Sequence, residues 1–208
     1  MQTVRERNYQ KPAILNGRIK KNGVAPHGIR WTVDEYYKMY EQGLFHGKRV
    51  ELLKGEIFEM SPMLSPHATS IALVYEMLRE IFQDGFLIRT QMPVRFSKID
   101  EPEPDVAVIH GSIRDFTEAH PTTATLLVEV AFTSLNFDRT KKLKLYSEND
   151  IEEYWIVNLK QRQLEVFRTP VARGESYDYA EKLIFTESES LSPLARPKAT
   201  IEVSHLLP

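Results

Sequence analysis

Three segments of this 208-residue chain read as strands, two of them buried on both faces, and each carries one carboxylate where the pattern wants an apolar residue. They are Val50-Glu51-Leu52-Leu53, Asp105-Val106-Ala107-Val108-Ile109 and Leu126-Leu127-Val128-Glu129-Val130-Ala131. An ionised carboxylate in such surroundings costs several kcal/mol, on the order of a buried-ion penalty, unless a cation or hydrogen bonds offset it. Any fold of this chain must therefore bring something positive to these strands. Taken singly, each carboxylate would be satisfied by an exposed strand edge or an arginine partner. The three together favour a shared site, and a divalent ion such as Mg²⁺, which takes hard oxygen ligands, suits it.

The pattern around them alternates helix and strand. Thr32 and Glu35 have the spacing of a capping box, so a short helix is expected from there to about Gly43. Residues 49–53 and 56–60 flank Lys54-Gly55 as a tight hairpin. Ser65-Pro66 opens a long helix whose apolar face is Ile71, Val74, Tyr75, Leu78, Ile81 and Phe82. Strands are expected at 86–90, 92–96, 105–109 and 125–131, a helix at 138–147, strands at 153–157 and 164–168, and a last one at 200–203. That order predicts an α/β (α+β) fold, a central mixed β-sheet flanked by helices. Consecutive strands would set Asp105 and Glu129 side by side, and alternation puts Leu127, Glu129 and Ala131 on one face.

Charge is unevenly placed. The total is −2, yet Arg5, Arg7, Lys11, Arg18, Lys20, Lys21 and Arg30 face only Glu6 in residues 1–30, so a basic N-terminal arm precedes an acidic body at 31–208, which no repeat or linker divides. The arm reads either as a solvated leader or as a segment that follows phosphates. A second basic group, Arg139, Lys141, Lys142 and Lys144, follows the Glu129 strand. Asp138, Lys142 and Tyr146 recur there at helical spacing, so the group is either a solvated face or a source of cation for the carboxylates. With no cysteine, thiolate metal sites and cysteine nucleophiles are excluded. No apolar leader or membrane-length run is present, so a cytoplasmic protein without membrane contact is expected.

At these residues the chain resembles the PD-(D/E)XK, restriction-endonuclease-like superfamily, and within it a bacterial branch of endonucleases once listed as a domain of unknown function. The resemblance runs from about Trp31 to Arg168 and rests on Val50 to Ile57, Met60-Ser61-Pro62 with His67, Glu103 to Val108, Val128 to Ala131, Ser134, Asp138, Lys142, and Glu153 to Val157. Pro104-Asp105 matches the PD element and Glu129-Val130-Ala131 the (D/E)XK element, with alanine where the lysine would stand; Lys142 takes its place. Phe132 occupies a position where the branch commonly has a polar residue. The resemblance implies hydrolysis of DNA phosphodiesters with Mg²⁺, or Mn²⁺ in its place. Asp105, Glu129 and the Val130 carbonyl would hold the metal, Glu51 would assist as an outer or second-metal ligand, and Lys142 would position the attacking water.

Gln91 is a candidate lining residue, whereas His67, four residues before Ile71, reads as a packed or capping side chain. Cutting both strands of DNA calls for two active sites, hence a two-fold homodimer. A nucleic-acid-binding or assembly protein that keeps the fold without turnover is the main alternative. Signatures of zinc hydrolases, α/β-hydrolases, P-loop proteins and dinucleotide-binding proteins are absent from the sequence.

Overall fold

The structure is a computed structural model that describes residues 28–208, so all but the last three residues of the basic arm lie outside the described residues. Thr32 caps α1 (Val33–Glu41) with the expected reciprocal bonds to Glu35. The strands β1 (Val50–Leu53) and β2 (Glu56–Glu59) pair antiparallel around Lys54 and Gly55, whose φ angles of 52° and 71° are those of a tight primed turn. Helix α2 (Ser65–Ile81) follows, with proline in its first turn.

Six strands form the main sheet: β3 (Phe86–Thr90), β4 (Val106–His110), β5 (Leu126–Ala131), β6 (Glu153–Asn158), β7 (Gln163–Arg173) and β8 (Ser176–Thr186), in sequence order across the sheet. Only β5 and β6 are parallel. A parallel pair needs a crossover, and a helical run provides it: α3 (Leu135–Phe137), a π-turn (Asp138–Lys142) and α4 (Leu143–Glu148). The central mixed sheet flanked by helices is thus the expected architecture.

Alternation along β4, β5 and β6 feeds two cores. Val106, Val128, Val130 and Trp155 face α2 and the chain end, where β9 (Ser190–Leu191) pairs with β10 (Ile201–Glu202). Ala107, Leu127, Tyr154 and Ile156 face Leu145 and Tyr146 of the crossover. A small third cluster joins α1 to β1.

Three expectations are corrected. Residues 92–96 are not a strand: Pro93 has no N–H to donate, and Val94 and Phe96 bond back to Pro102 and Asp100 instead of along a ladder. The hairpin bearing Glu51 lies outside the main sheet as its own two-stranded ribbon, tied by a bridge between Leu52 and Glu101. The strand expected at 164–168 is longer and pairs with β8, which the sequence hid because its side chains are mostly exposed and so carry no apolar period.

Leu78 is fully buried between α2 and the sheet. Leu78→Ala is expected to cost about 2–5 kcal/mol in urea unfolding. A cost under about 1 kcal/mol would mean that α2 does not pack there.

Candidate active site

The β4–β5 ladder pairs Val106 with Val128, so the next register step sets Asp105 opposite Glu129. Asp105 stands just before β4, and its Oδ2 accepts the Val130 backbone N–H at 2.9 Å. The N–H and carbonyl of a strand residue share one edge, so the Val130 carbonyl lies on the edge of β5 that Asp105 occupies. Gln91, at φ 52° where β3 ends, donates its side-chain amide to Asp105 Oδ1 at 3.2 Å. His67 Nε2 lies 3.0 Å from Asp105 Oδ2. His67 is therefore no packing residue: the first turn of α2 projects it at the site, and its place after Met60-Ser61-Pro62 in the resemblance was the signal for it. Burial works to raise the Asp105 pKa, but the bonds from His67, Val130 and Gln91 prevail and hold it below the ordinary carboxylate value.

Glu129 has the opposite balance. Its Oε1 accepts from Lys142 Nζ at 3.1 Å and from the Tyr146 hydroxyl at 2.5 Å. Burial nonetheless pushes its carboxyl up to about 8, against the pull of Lys142. Lys142 is 0% exposed, and its Nζ also bonds Glu51 Oε2 at 2.6 Å. Burial alone would lower the lysine pKa; Glu129 and Glu51 outweigh that and raise it, so the ammonium stays charged. The basic run is thus no uniform solvated face: Lys142 turns inward while Lys141 and Lys144 remain exposed. Glu51 Oε2 also accepts the Glu103 backbone N–H at 3.1 Å, while its Oε1 is buried without a partner among the described residues.

The π-turn brings these groups into line. In an α-helix, side chains four residues apart drift by about 40° per step, and a wider turn takes part of that drift back. Asp138, Lys142 and Tyr146 consequently share the inward face. Asp138 Oδ2 accepts from the Ser134 hydroxyl at 2.6 Å, and burial pushes its carboxyl up to about 7. Arg139 forks onto the buried Glu165 of β7, with Nε 2.9 Å from Oε2.

A cavity of about 290 Å³ opens onto this cluster. Asp105, Glu129, Asp138 and Glu103 line it, with Arg49 and His67 opposite and an apolar rim that includes Met63, Leu64 and Phe132. Glu51 and Lys142 are not among its lining residues; they form a layer behind Glu129. Asp138 is a site residue that helical spacing made visible only as a partner for Lys142.

Among the described residues no three His, Asp or Glu side chains converge closely enough to cage a metal ion by themselves. The cluster fits a hard divalent cation in another way. Among the described residues five carboxylates, Glu51, Glu103, Asp105, Glu129 and Asp138, face two fixed cations, Lys142 and Arg49, and one histidine, so positive charge is short there. Asp105, Glu129 and the Val130 carbonyl offer oxygen only, and Mg²⁺ commonly takes one or two carboxylates and keeps its waters.

The raised pKa values of Glu129 and Asp138 have a definite sign. Between about pH 4.5 and 8 the folded chain holds protons that the unfolded chain releases, so stability falls as pH rises through that window. Melting temperatures of the metal-free protein should therefore decline from about pH 5 to about pH 8, and Glu129→Gln should flatten the upper part of the decline. A profile that rises over this range would contradict the assignment.

A family model described as Uma2, "Putative restriction endonuclease", matches residues 33–204. Among solved structures the chain is similar to "a putative nuclease belonging to DUF820" from Anabaena variabilis ATCC 29413, at 14% identity and a TM-score of 0.65, over 84% of this chain and 96% of that one. At that identity the likeness is one of fold. No curated protein matches. No described helix is long and apolar enough to cross a membrane.

Proposed function

The chain belongs to the Uma2 family, and from that premise we propose that it is a divalent-metal-dependent endonuclease that hydrolyses DNA phosphodiester bonds. The observation that carries the reading is the juxtaposition of Asp105 and Glu129 across β4 and β5, with the Lys142 ammonium 3.1 Å behind Glu129. The family's description as endonucleases and the nuclease fold of the solved neighbour support it.

Asp105, Glu129 and the Val130 carbonyl would hold Mg²⁺ or Mn²⁺. When bound, the ion would supply Lewis-acid polarisation of the phosphate and ease loss of a proton from the attacking water. The remaining steps belong to the chain. Lys142, enclosed by Glu51 and Glu129, opposes the effect of burial on Glu129 and lends positive potential to the reacting phosphate. Because its Nζ is fully buried, its part is electrostatic, and the place beside the attacking water falls to Asp138. Asp138, with a pKa near neutrality, takes the water's proton at its Oδ1 while Ser134 holds Oδ2. Water oxygen adds to phosphorus as the bond to the leaving nucleotide's oxygen breaks, that oxygen takes a proton from solvent, and the products end in a phosphate and a hydroxyl. His67 and Gln91 fix Asp105 in its ionised form. Glu51 serves as an outer residue through Lys142.

The test is cleavage of supercoiled plasmid and of single-stranded circular DNA with Mg²⁺ or Mn²⁺. Wild type is expected to cut at least one of the two, and Asp105→Asn and Glu129→Gln should each lower the rate more than about 100-fold. Cleavage surviving both substitutions would sink the site. DNA retardation on a gel without any cleavage would favour the binding protein that lacks turnover.

Lys142→Met tests the buried cation separately. It leaves Glu51 and Glu129 without their partner, so a loss of about 3–5 kcal/mol in unfolding free energy is expected, against little change if the lysine were surface decoration.

A further inference from the structure

A second cavity, of about 630 Å³, lies beside the first, and Phe58 of β2 lines both. Its basic side chains are of two kinds. Arg30 pairs with Glu56 at 2.6 Å, and Lys54 pairs with Glu148. Lys141 and Lys144 line the cavity, are exposed, and form no ion pair among the described residues. Both belong to the crossover helix whose inward face carries Asp138 and Lys142. Phe58 stands half-buried between the cavities, edge-on to Phe137 with centroids 5.1 Å apart, and Lys141 Nζ lies 5.9 Å from its ring centroid. Exposed Tyr177 also lines the second cavity. Alternating aromatic faces and unpaired lysines are what a single nucleic-acid strand needs, since bases stack on the rings while phosphates meet the ammonium groups.

The first cavity points the same way. Its rim is apolar, with Met63, Leu64 and Phe132, and among the described residues Arg49 is its only lysine or arginine. A duplex would turn its sugar-phosphate backbone to that rim and gain little from apolar contact, whereas an unpaired base gains by being buried against it.

We propose that the substrate is single-stranded DNA, whose strand passes from the catalytic cavity across Phe58 into the second cavity, where Lys141 and Lys144 hold its phosphates. This rests on the nuclease reading and narrows its substrate. Glu175, also at the second cavity, limits affinity and leaves the two lysines as the main phosphate contacts.

The experiment is fluorescence anisotropy of the full chain in EDTA, with labelled oligothymidylate and with the matching dA·dT duplex, over a series of salt concentrations. The single strand should bind about tenfold tighter or better than the duplex. The double variant Lys141→Ala/Lys144→Ala should weaken single-strand binding and lower the slope of log K against log salt by about 1.4, the value for two phosphates on a single strand. Phe58→Leu, which keeps an apolar side chain, should weaken it about tenfold through lost stacking. Equal or tighter duplex binding, or an unchanged salt slope in the double variant, would overturn the proposal. Cleavage with Mn²⁺ separates the two readings. Wild type that cuts duplex and single strand equally fast keeps the nuclease and overturns the inference. Tight single-strand binding that needs Phe58 and the two lysines, with no cleavage at all, keeps the strand path and overturns the nuclease.

Discussion

One buried ammonium organises the molecule. Lys142 is fully enclosed, and an isolated charge there would cost several kcal/mol. It is retained because Glu51 and Glu129 accept from it at 2.6 and 3.1 Å and the Tyr146 hydroxyl completes Glu129. Those carboxylates come from the β1–β2 ribbon and from the middle of the main sheet, so one ion cluster fastens a peripheral hairpin, a central strand and the crossover helix at one point. Breaking it would leave two buried carboxylates short of a cation. That dependence explains how a hairpin outside the main sheet carries a carboxylate only 1% exposed.

Around this clamp the protein holds similar acids in different states. Asp105 accepts three hydrogen bonds and is kept ionised; Glu129 and Asp138 are buried among other carboxylates and pushed toward neutral pH. Such divergence between neighbouring acids marks sites of chemistry more often than of stability, since structure alone would be served as well by apolar residues. The π-turn sets the geometry, and Arg139 anchors it to the buried Glu165 on β7.

Much of this was legible in the chain. The Thr32–Glu35 box, the Lys54-Gly55 turn and the apolar face of α2 are local signals, and each appears where its pattern placed it. The carboxylates at 51, 105 and 129 were legible as exceptions to an apolar pattern. What was not legible lacks a local period. β8 is exposed over most of its length, so nothing in its alternation marks a buried face. His67 reaches Asp105 only because α2 starts beside the start of β4, and the irregular path of residues 92–96 follows from bonds to residues 100 and 102.

The sequence by itself determined most of the element types, the central mixed sheet flanked by helices and the need for a cation near three strand carboxylates, because propensity, period and the cost of burying charge act through neighbours in the chain. Only the tertiary structure decided which cation answers that need, which carboxylates face the cavity, and that Glu51 lies behind it. Those outcomes depend on strand register and helix phase between segments up to 91 residues apart, as in the Glu51–Lys142 pair, and on how much water each group loses when they meet.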